Sequence, residues 1–412
     1  MGELKRPKLE DVVMLDKNKE KMLNKITGKK KFQIKVAQPF NKLSIEFLND
    51  FSNYLKKYKK INSYPDLIYL MFWCRGKKIE KLAESFKNNQ IRLGRGLIFH
   101  ICPANVPTNF IYSFFFGLLS GNSNIIKIPS KYSKEKSIIL STIKSVLRKS
   151  KYAVIKKTNS FIQYNNKTET TKIISSICDG RIIWGSDKTI NEIRKSWIPE
   201  RTVEITFPDR YSISIININK LKKMSLNKMQ ILAKNFYYDG YSMNQAACNS
   251  PHFIFWIGKK NKKIQDYFWK QLHKIVEKRF LFDDIHIIDK YSNLLENMVS
   301  QQNLGKIKMF KNHLYVVDAN KKIDQLENIR GINGTFFQKN ISNISYLKKF
   351  ITKKCQTVTY FGFSKAELRF FLLNNNLSGI DRMVPLGNAL NINVVWDGFD
   401  VTKHLSRVIS LE

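Results

Sequence analysis

The chain reads as an α/β protein built around parallel sheet. Three features predict this: short apolar, β-rich segments alternate with longer helical ones; Gly, Pro, Asn and Ser cluster where the two meet; and 412 residues suffice for about two or three domains.

Residues 1 to about 90 are lysine-rich with helical spacing of apolar positions, as in FLNDFSNYLKKYKKI (47–61) and KKIEKLAESFKNN (77–89), and predict a solvated helical lead-in. From 92 the texture changes. A strand GLIFHI leads into the turn CPANVP, an apolar helix over about 108–120, the short strand in GNSNIIKIPS (121–130), and a helix over about 133–149. This spacing predicts a βαβ unit. GRIIWGSDKTINEIRK (180–195) repeats strand, turn and helix, and YSISIIN (211–217) is a further strand. The second half alternates more loosely, with a helix near 227–238, strand FIFWI, helix 262–279, strand LYVVDA (314–319), helix 343–353 and strand TVTYFGF (357–363). The expected organisation is a lead-in over 1–90, a first domain over 91–215, a second over 216–385, and a terminal segment over 386–412 that packs back or bridges an oligomer.

Composition narrows the function classes. No apolar run approaches the roughly 20 residues of a membrane span, and the charged N-terminus lacks a signal-peptide core, so a cytoplasmic location is expected. Five scattered cysteines without a CxxC pair suit reduced thiols, and six histidines without HExxH or a Cys/His cluster give no expectation of a metal. The formal charge of +38 is mostly lysine spread along the whole chain, which reads as solvated faces and not as a nucleic-acid patch. Polyanionic small molecules would still gain from such a field.

NQAACNSPHFIFW (244–256) sets Cys248 between alanines and Pro251, a pattern that leaves a thiol uncrowded on a tight turn. A thiol of ordinary pKa about 8.5 becomes a nucleophile when a helix end or a cation stabilises its thiolate. A packed small hydrophobe is the other reading, and the residues alone leave both open. Cys102 is the rival, though its place after LIFHI argues for burial. Asn105 in CPANVP would donate its amide to a developing oxyanion, or bond its own backbone as turn asparagines do. Lys127 would aim a cation at ribose or phosphate, or stand solvated at a strand end. Gly185 and Ser186 would admit a pyrophosphate to a helix N-terminus, or form an ordinary N-cap; no GxGxxG accompanies them. Glu204 is the carboxylate of the first half that would serve as a base near Cys248, with a surface glutamate as the alternative. His252 is open between base and packing.

Taken in order from about residue 90 onward, these pieces resemble the aldehyde dehydrogenase superfamily, and within it the acyl-CoA reductase branch that includes the fatty acid reductase subunit of the bacterial luciferase operon. CPANVP is similar to the superfamily's Trp-Asn-Phe-Pro turn, GNSNIIKIPS to its Gly-Asn-x-x-x-x-Lys-Pro-Ser segment, WGS to its Thr-Gly-Ser turn, and QAACNSP to the branch's catalytic cysteine segment. GIDRMVPLGNAL and VVWDGFD (379–400) resemble the branch's C-terminal signature. The resemblance implies a Rossmann-type cofactor-binding domain beside an α/β catalytic domain, with Cys248 as nucleophile, Asn105 at the oxyanion, and Lys127, Ser130, Gly185 and Ser186 at the cofactor. Ser130 stands where many NAD-preferring members carry an acid, which points to NADPH, with NADH as the other choice. Phe207 falls where the superfamily carries its general-base glutamate, and GTFFQ (334–338) replaces the Glu-x-Phe segment that holds the nicotinamide ribose.

The implied reaction reduces an acyl thioester, expected to be a fatty acyl-CoA, to an aldehyde through an acyl-cysteine. A homo-oligomer and an acyl-protein synthetase partner follow from the same likeness. Two other functions stay open: a reductase of this fold taking acyl phosphate or acylated protein, and a basic nucleic-acid or membrane-surface binding protein on a degenerate scaffold.

Overall fold

Two mostly parallel sheets organise the computed structural model, which describes residues 21–86, 90–103, 106–164, 169–280, 282–301, 304–319, 323 and 325–412. The chain divides into two units, one formed by Met1–Asp209 with Ile392–Glu412 and the other by Arg210–Asn391.

The sheet of the first unit contains β2 (Leu97–Ile101), β3 (Ser123–Lys127), β4 (Asn159–Ile162), β5 (Gly180–Trp184) and β6 (Val203–Phe207), in the order β4-β3-β2-β5-β6 with every pairing parallel. All five residues of LIFHI are buried, as expected where helices cover both faces of a sheet. The strand order reverses between β2 and β5, the position where open α/β sheets leave a crevice at their carboxyl ends. The predicted apolar helix is present as Asn109–Leu119, and Phe110 to Leu119 are all buried. It lies close on the sheet because Gly117 has no side chain: a Cβ there would come within 1.9 Å of Asn124 Oδ1.

A polar network crosses this apolar layer. Buried His100 meets Ser113 Oγ through Nδ1 at 2.8 Å and Asn124 Oδ1 through Nε2 at 2.9 Å, and Trp184 Nε1 donates to Ser113 Oγ at 3.1 Å. Asn124 Oδ1 accepts, so His100 Nε2 carries the hydrogen, and in the neutral ring Nδ1 accepts from the Ser113 hydroxyl, which satisfies both nitrogens. Burial accordingly depresses its pKa from 6.5 to about 4. The helix Lys42–Lys56, capped by Asn41, adds Phe47, Leu48, Phe51 and Leu55 to the core of the same unit. The short antiparallel pair β1 (Ile91–Gly94) and β16 (Ser406–Ile409), the latter preceded by the paired β14 (Val395–Trp396) and β15 (Phe399–Asp400), joins the two chain segments of the unit, from Ile91↔Ile409 to Gly94↔Ser406.

The second unit carries β7 (Tyr211–Asn217), β8 (Pro251–Ile257), β9 (Leu304–Phe310), β10 (Leu314–Ala319), β11 (Thr335–Ile341), β12 (Cys355–Phe361) and β13 (Arg382–Pro385). Their order is β13-β12-β7-β8-β11-β10-β9, parallel throughout except for the β9–β10 hairpin. Helices Leu226–Tyr241 and Lys262–Arg279 supply Phe236, Phe268 and Trp269 to one apolar layer with Trp256 and Phe336. Helix 262–279 and strand 314–319 fall on the predicted residues. The helix expected over 343–353 is instead a 3-10 turn, Ile344–Phe350, in which only Leu347 is buried: one inward residue gives an α-helix no apolar face. Among the described residues, no helix is long and apolar enough to cross a membrane.

Candidate active site

Cys248 lies in the turn between the helix Leu226–Tyr241 and β8. Three consecutive residues before it, Met243, Asn244 and Gln245, adopt left-handed backbone with φ of 56, 53 and 63°. Such positions cost non-glycine residues about 1–3 kcal/mol each and persist only where surroundings fix them. Gln245 supplies the fixing. Its buried amide donates to the carbonyls of Pro251 (3.1 Å) and Thr335 (3.0 Å) and accepts from Gly334 N–H (3.1 Å). The turn closes by Ser250 N–H donating to Ala247 O at 2.9 Å, and Ser212 Oγ on β7 donates to Cys248 O at 2.7 Å.

The thiols fall into two groups. Cys74, Cys102, Cys178 and Cys355 are buried, and Cys248 is half-buried. Burial pushes the Cys102 and Cys355 thiols up to about 12, which leaves them protonated and unreactive at neutral pH. Cys248 instead interacts electrostatically with Arg382, whose guanidinium is itself held down to about 10 by burial and sustained by Asp239 and Cys248. A cation beside a sulfur favours its thiolate.

Arg382 is fixed by donating to the carbonyls of Ala389 (2.5 Å), Asn388 (2.8 Å) and Asn391 (2.7 Å). Across the same loop, buried Asp239 accepts from the N–H groups of Gly387 (2.6 Å) and Ala389 (2.8 Å), and Asn249 Nδ2 donates to Ala389 O (2.5 Å). Burial raises Asp239 to about 7, against the pull of those N–H groups and Arg382. The loop 385–391 thus braces both Asn249, next to the thiol, and the arginine that faces it. Arg382 is the residue the sequence did not single out, although it stands in the quoted GIDRMVPLGNAL stretch; a lone arginine there shows no partner until the fold brings Cys248 beside it.

In the first unit, Lys127 ends β3 and Gly185 and Ser186 follow β5, so all three lie at the carboxyl edge, on either side of β2. Lys127 is half-buried over the Tyr164 ring at 4.7 Å, and burial lowers its pKa. Ser186 caps the helix Asp187–Arg194 by accepting from Thr189 N at 3.3 Å. Ser130 is exposed past the end of β3. Asn105 lies outside the described residues.

Glu204 has a different setting from the one expected. It is the second residue of β6, away from the carboxyl edge, and its two oxygens accept from Arg194 Nε at 2.7 Å and from Arg181 Nε at 2.8 Å. Both oxygens are committed to guanidinium groups, the geometry of a structural ion pair and not of a free base. Phe207 at the edge of that strand is buried and stacked on Trp184, ring centroids 3.8 Å apart. His252 is buried too, paired through Nδ1 with Gly331 O at 2.8 Å and depressed to about 3, which makes it a packing residue.

The fold is shared with solved structures at low identity. Methylmalonate-semialdehyde dehydrogenase from Oceanimonas doudoroffii is 10% identical with TM-score 0.62, the match covering 90% of this chain and 86% of that one. An oxidoreductase from Marinobacter aquaeolei is 11% identical with TM-score 0.60, covering 90% and 82%. AldH from Staphylococcus aureus is 10% identical with TM-score 0.58, covering 96% and 93%. These likenesses establish the aldehyde dehydrogenase-like fold. No curated protein matches the chain. The model of the family described as acyl-CoA reductase (LuxC) matches residues 77–408, and the chain belongs to that family, whose chemistry is oxidoreduction of acyl and aldehyde groups.

Proposed function

We propose that this protein is an NADPH-dependent acyl-CoA reductase that converts an acyl thioester, of fatty acyl type, to an aldehyde, with Cys248 as the nucleophile. The observation that carries this reading is the contrast among the thiols: Cys248 alone is half-buried, on a braced turn and beside a guanidinium.

The Cys248 thiolate attacks the thioester carbonyl, and the resulting oxyanion is held by the Asn105 amide and the Cys248 backbone N–H. Collapse expels the coenzyme A thiolate and leaves an acyl-cysteine. A reduced nicotinamide, when bound, supplies the hydride that takes this acyl group to the aldehyde level. The hemithioacetal then collapses, returning the sulfur as thiolate with Arg382 near it and releasing the aldehyde. No water attacks, so no water-activating base is needed; this agrees with Glu204 held by two arginines and Phe207 stacked on Trp184.

The cofactor fits the carboxyl edge of the first sheet. The strand-order reversal between β2 and β5 supplies the crevice, Lys127 a cation, and Gly185 and Ser186 an approach to a helix N-terminus. Ser130 offers no negative charge to a 2′-phosphate, and the net charge of +38 favours both NADPH and coenzyme A. Membership of the family supports an acyl-protein synthetase as partner and a homo-oligomer.

NADPH consumption is to be followed across acyl-CoA chain lengths, with Cys248→Ala alongside. Turnover by the native protein and none by the variant is expected. Equal rates from both would remove Cys248 from its role, and turnover confined to acyl phosphates or acylated protein would replace the donor.

A further inference from the structure

One cluster lies outside everything assigned so far. His273 and Glu277 stand one turn apart on the helix Lys262–Arg279, and His313 sits in the turn between β9 and β10. One ligand atom from each of the three lies within 4.8 Å of the other two, and the imidazoles approach closest, His313 Nδ1 to His273 Nε2 at 3.4 Å.

We propose that His273, Glu277 and His313 form a binding site for a divalent transition-metal ion of the zinc, cobalt or nickel type. The spacing of the rings is the first argument. At 3.4 Å the two nitrogens are farther apart than in a good hydrogen bond. Two nitrogens each about 2.05 Å from one tetrahedral ion would lie about 3.3 Å apart. The second argument is that the rings are held: Phe310 packs on His273 with centroids 5.5 Å apart, and Phe282 on His313 at 5.3 Å. Glu277 is the adjustable arm. It is exposed, and one of its oxygens, Oε1, pairs with Lys311, which leaves Oε2 to swing toward the ion. Two imidazoles and one carboxylate suit such ions better than magnesium or calcium, and the remaining position goes to water. A bound ion would fasten the β9–β10 turn, at the edge of its sheet, to the helix behind it.

The test is a titration with Co²⁺ in the Cys248→Ala background, which removes the accessible thiol as a competing ligand. One equivalent is expected to bind with the visible absorption of a four-coordinate site. His273→Gln, His313→Gln and Glu277→Gln should each weaken binding by about 10-fold or more, while His404→Gln, at an exposed histidine elsewhere, should not. Thermal melts without metal check that the variants fold, and Glu277→Gln alters only an exposed side chain. Absence of stoichiometric binding, or equal affinity in the three variants and the parent, would overturn the site.

Discussion

The two sheets use opposite edges. In the first unit the candidate cofactor residues Lys127, Gly185 and Ser186 lie at the carboxyl ends of parallel strands, where strand order reverses. In the second unit the proposed catalytic residues gather at the amino ends: Cys248 precedes β8, Ser212 is the second residue of β7, and Arg382 opens β13. The carboxyl edge suits a ligand that needs helix N-termini and small residues. The amino edge of the second sheet follows the C-terminus of helix Leu226–Tyr241, which does nothing for an anion. A thiolate there would depend on a side-chain cation, the role proposed for Arg382.

The largest effect should separate the two edges outright. Cys248→Ala should lower turnover by about 10³-fold or more, while Cys102→Ala, at a buried thiol beside β2, should leave kcat within about threefold; comparable losses would erase the distinction between them. Next comes the cation. Arg382→Gln should reduce kcat/KM by about 10- to 100-fold and move the alkaline-rising limb of its pH profile to higher pH. Arg382→Lys should restore part of the profile. An unchanged profile in the glutamine variant would mean that Arg382 only braces the 385–391 loop.

Stability sharpens the comparison further. Removing the carboxylate charge with Glu204→Gln leaves buried Arg181 without its anion and should cost about 3 kcal/mol in unfolding by urea, while kcat stays within about threefold of the native value. A loss of activity larger than the loss of folded protein would return Glu204 to the chemistry. The smallest effect concerns acid. His100, held neutral with its pKa depressed to about 4, takes up no proton in the fold until well below its unfolded value near 6.5. Stability from this group is therefore whole above pH 6.5 and declines as pH falls toward 4, by about 3 kcal/mol at most. The check is the difference in pH dependence between native protein and His100→Asn; identical slopes would show that the ring is not neutral in the fold.

Much of this was legible in the sequence, and the illegible parts have physical reasons. LIFHI, YSISIIN and LYVVDA announce themselves because strands buried on both faces carry mostly apolar β-formers and almost no charge. LGKIKMF, which forms β9, does not, because no residue of this edge strand is buried and two lysines interrupt its apolar positions. β1 and β16 are short, and each becomes a strand only through a partner far along the chain. Within the site, Cys248 could be singled out by its small neighbours and Pro251. Arg382 and the His273–Glu277–His313 cluster could not, since their meaning lies in distances between elements. Glu204 looked available because sequence shows a carboxylate but not Arg181 and Arg194 on either side of it.

The pairing of β1 with β16 sets an order of events during synthesis. The first unit is interrupted at Asp209 and resumes at Ile392, so the ribosome makes the whole second unit before Ser406 can find Gly94. Until then β1, which pairs with no strand of the five-stranded sheet, lacks its partner and is a template for the wrong strand. The strand that removes that hazard is made only after the whole second unit, so removing Ser406–Ile409 would harm the earlier-made unit before the later one.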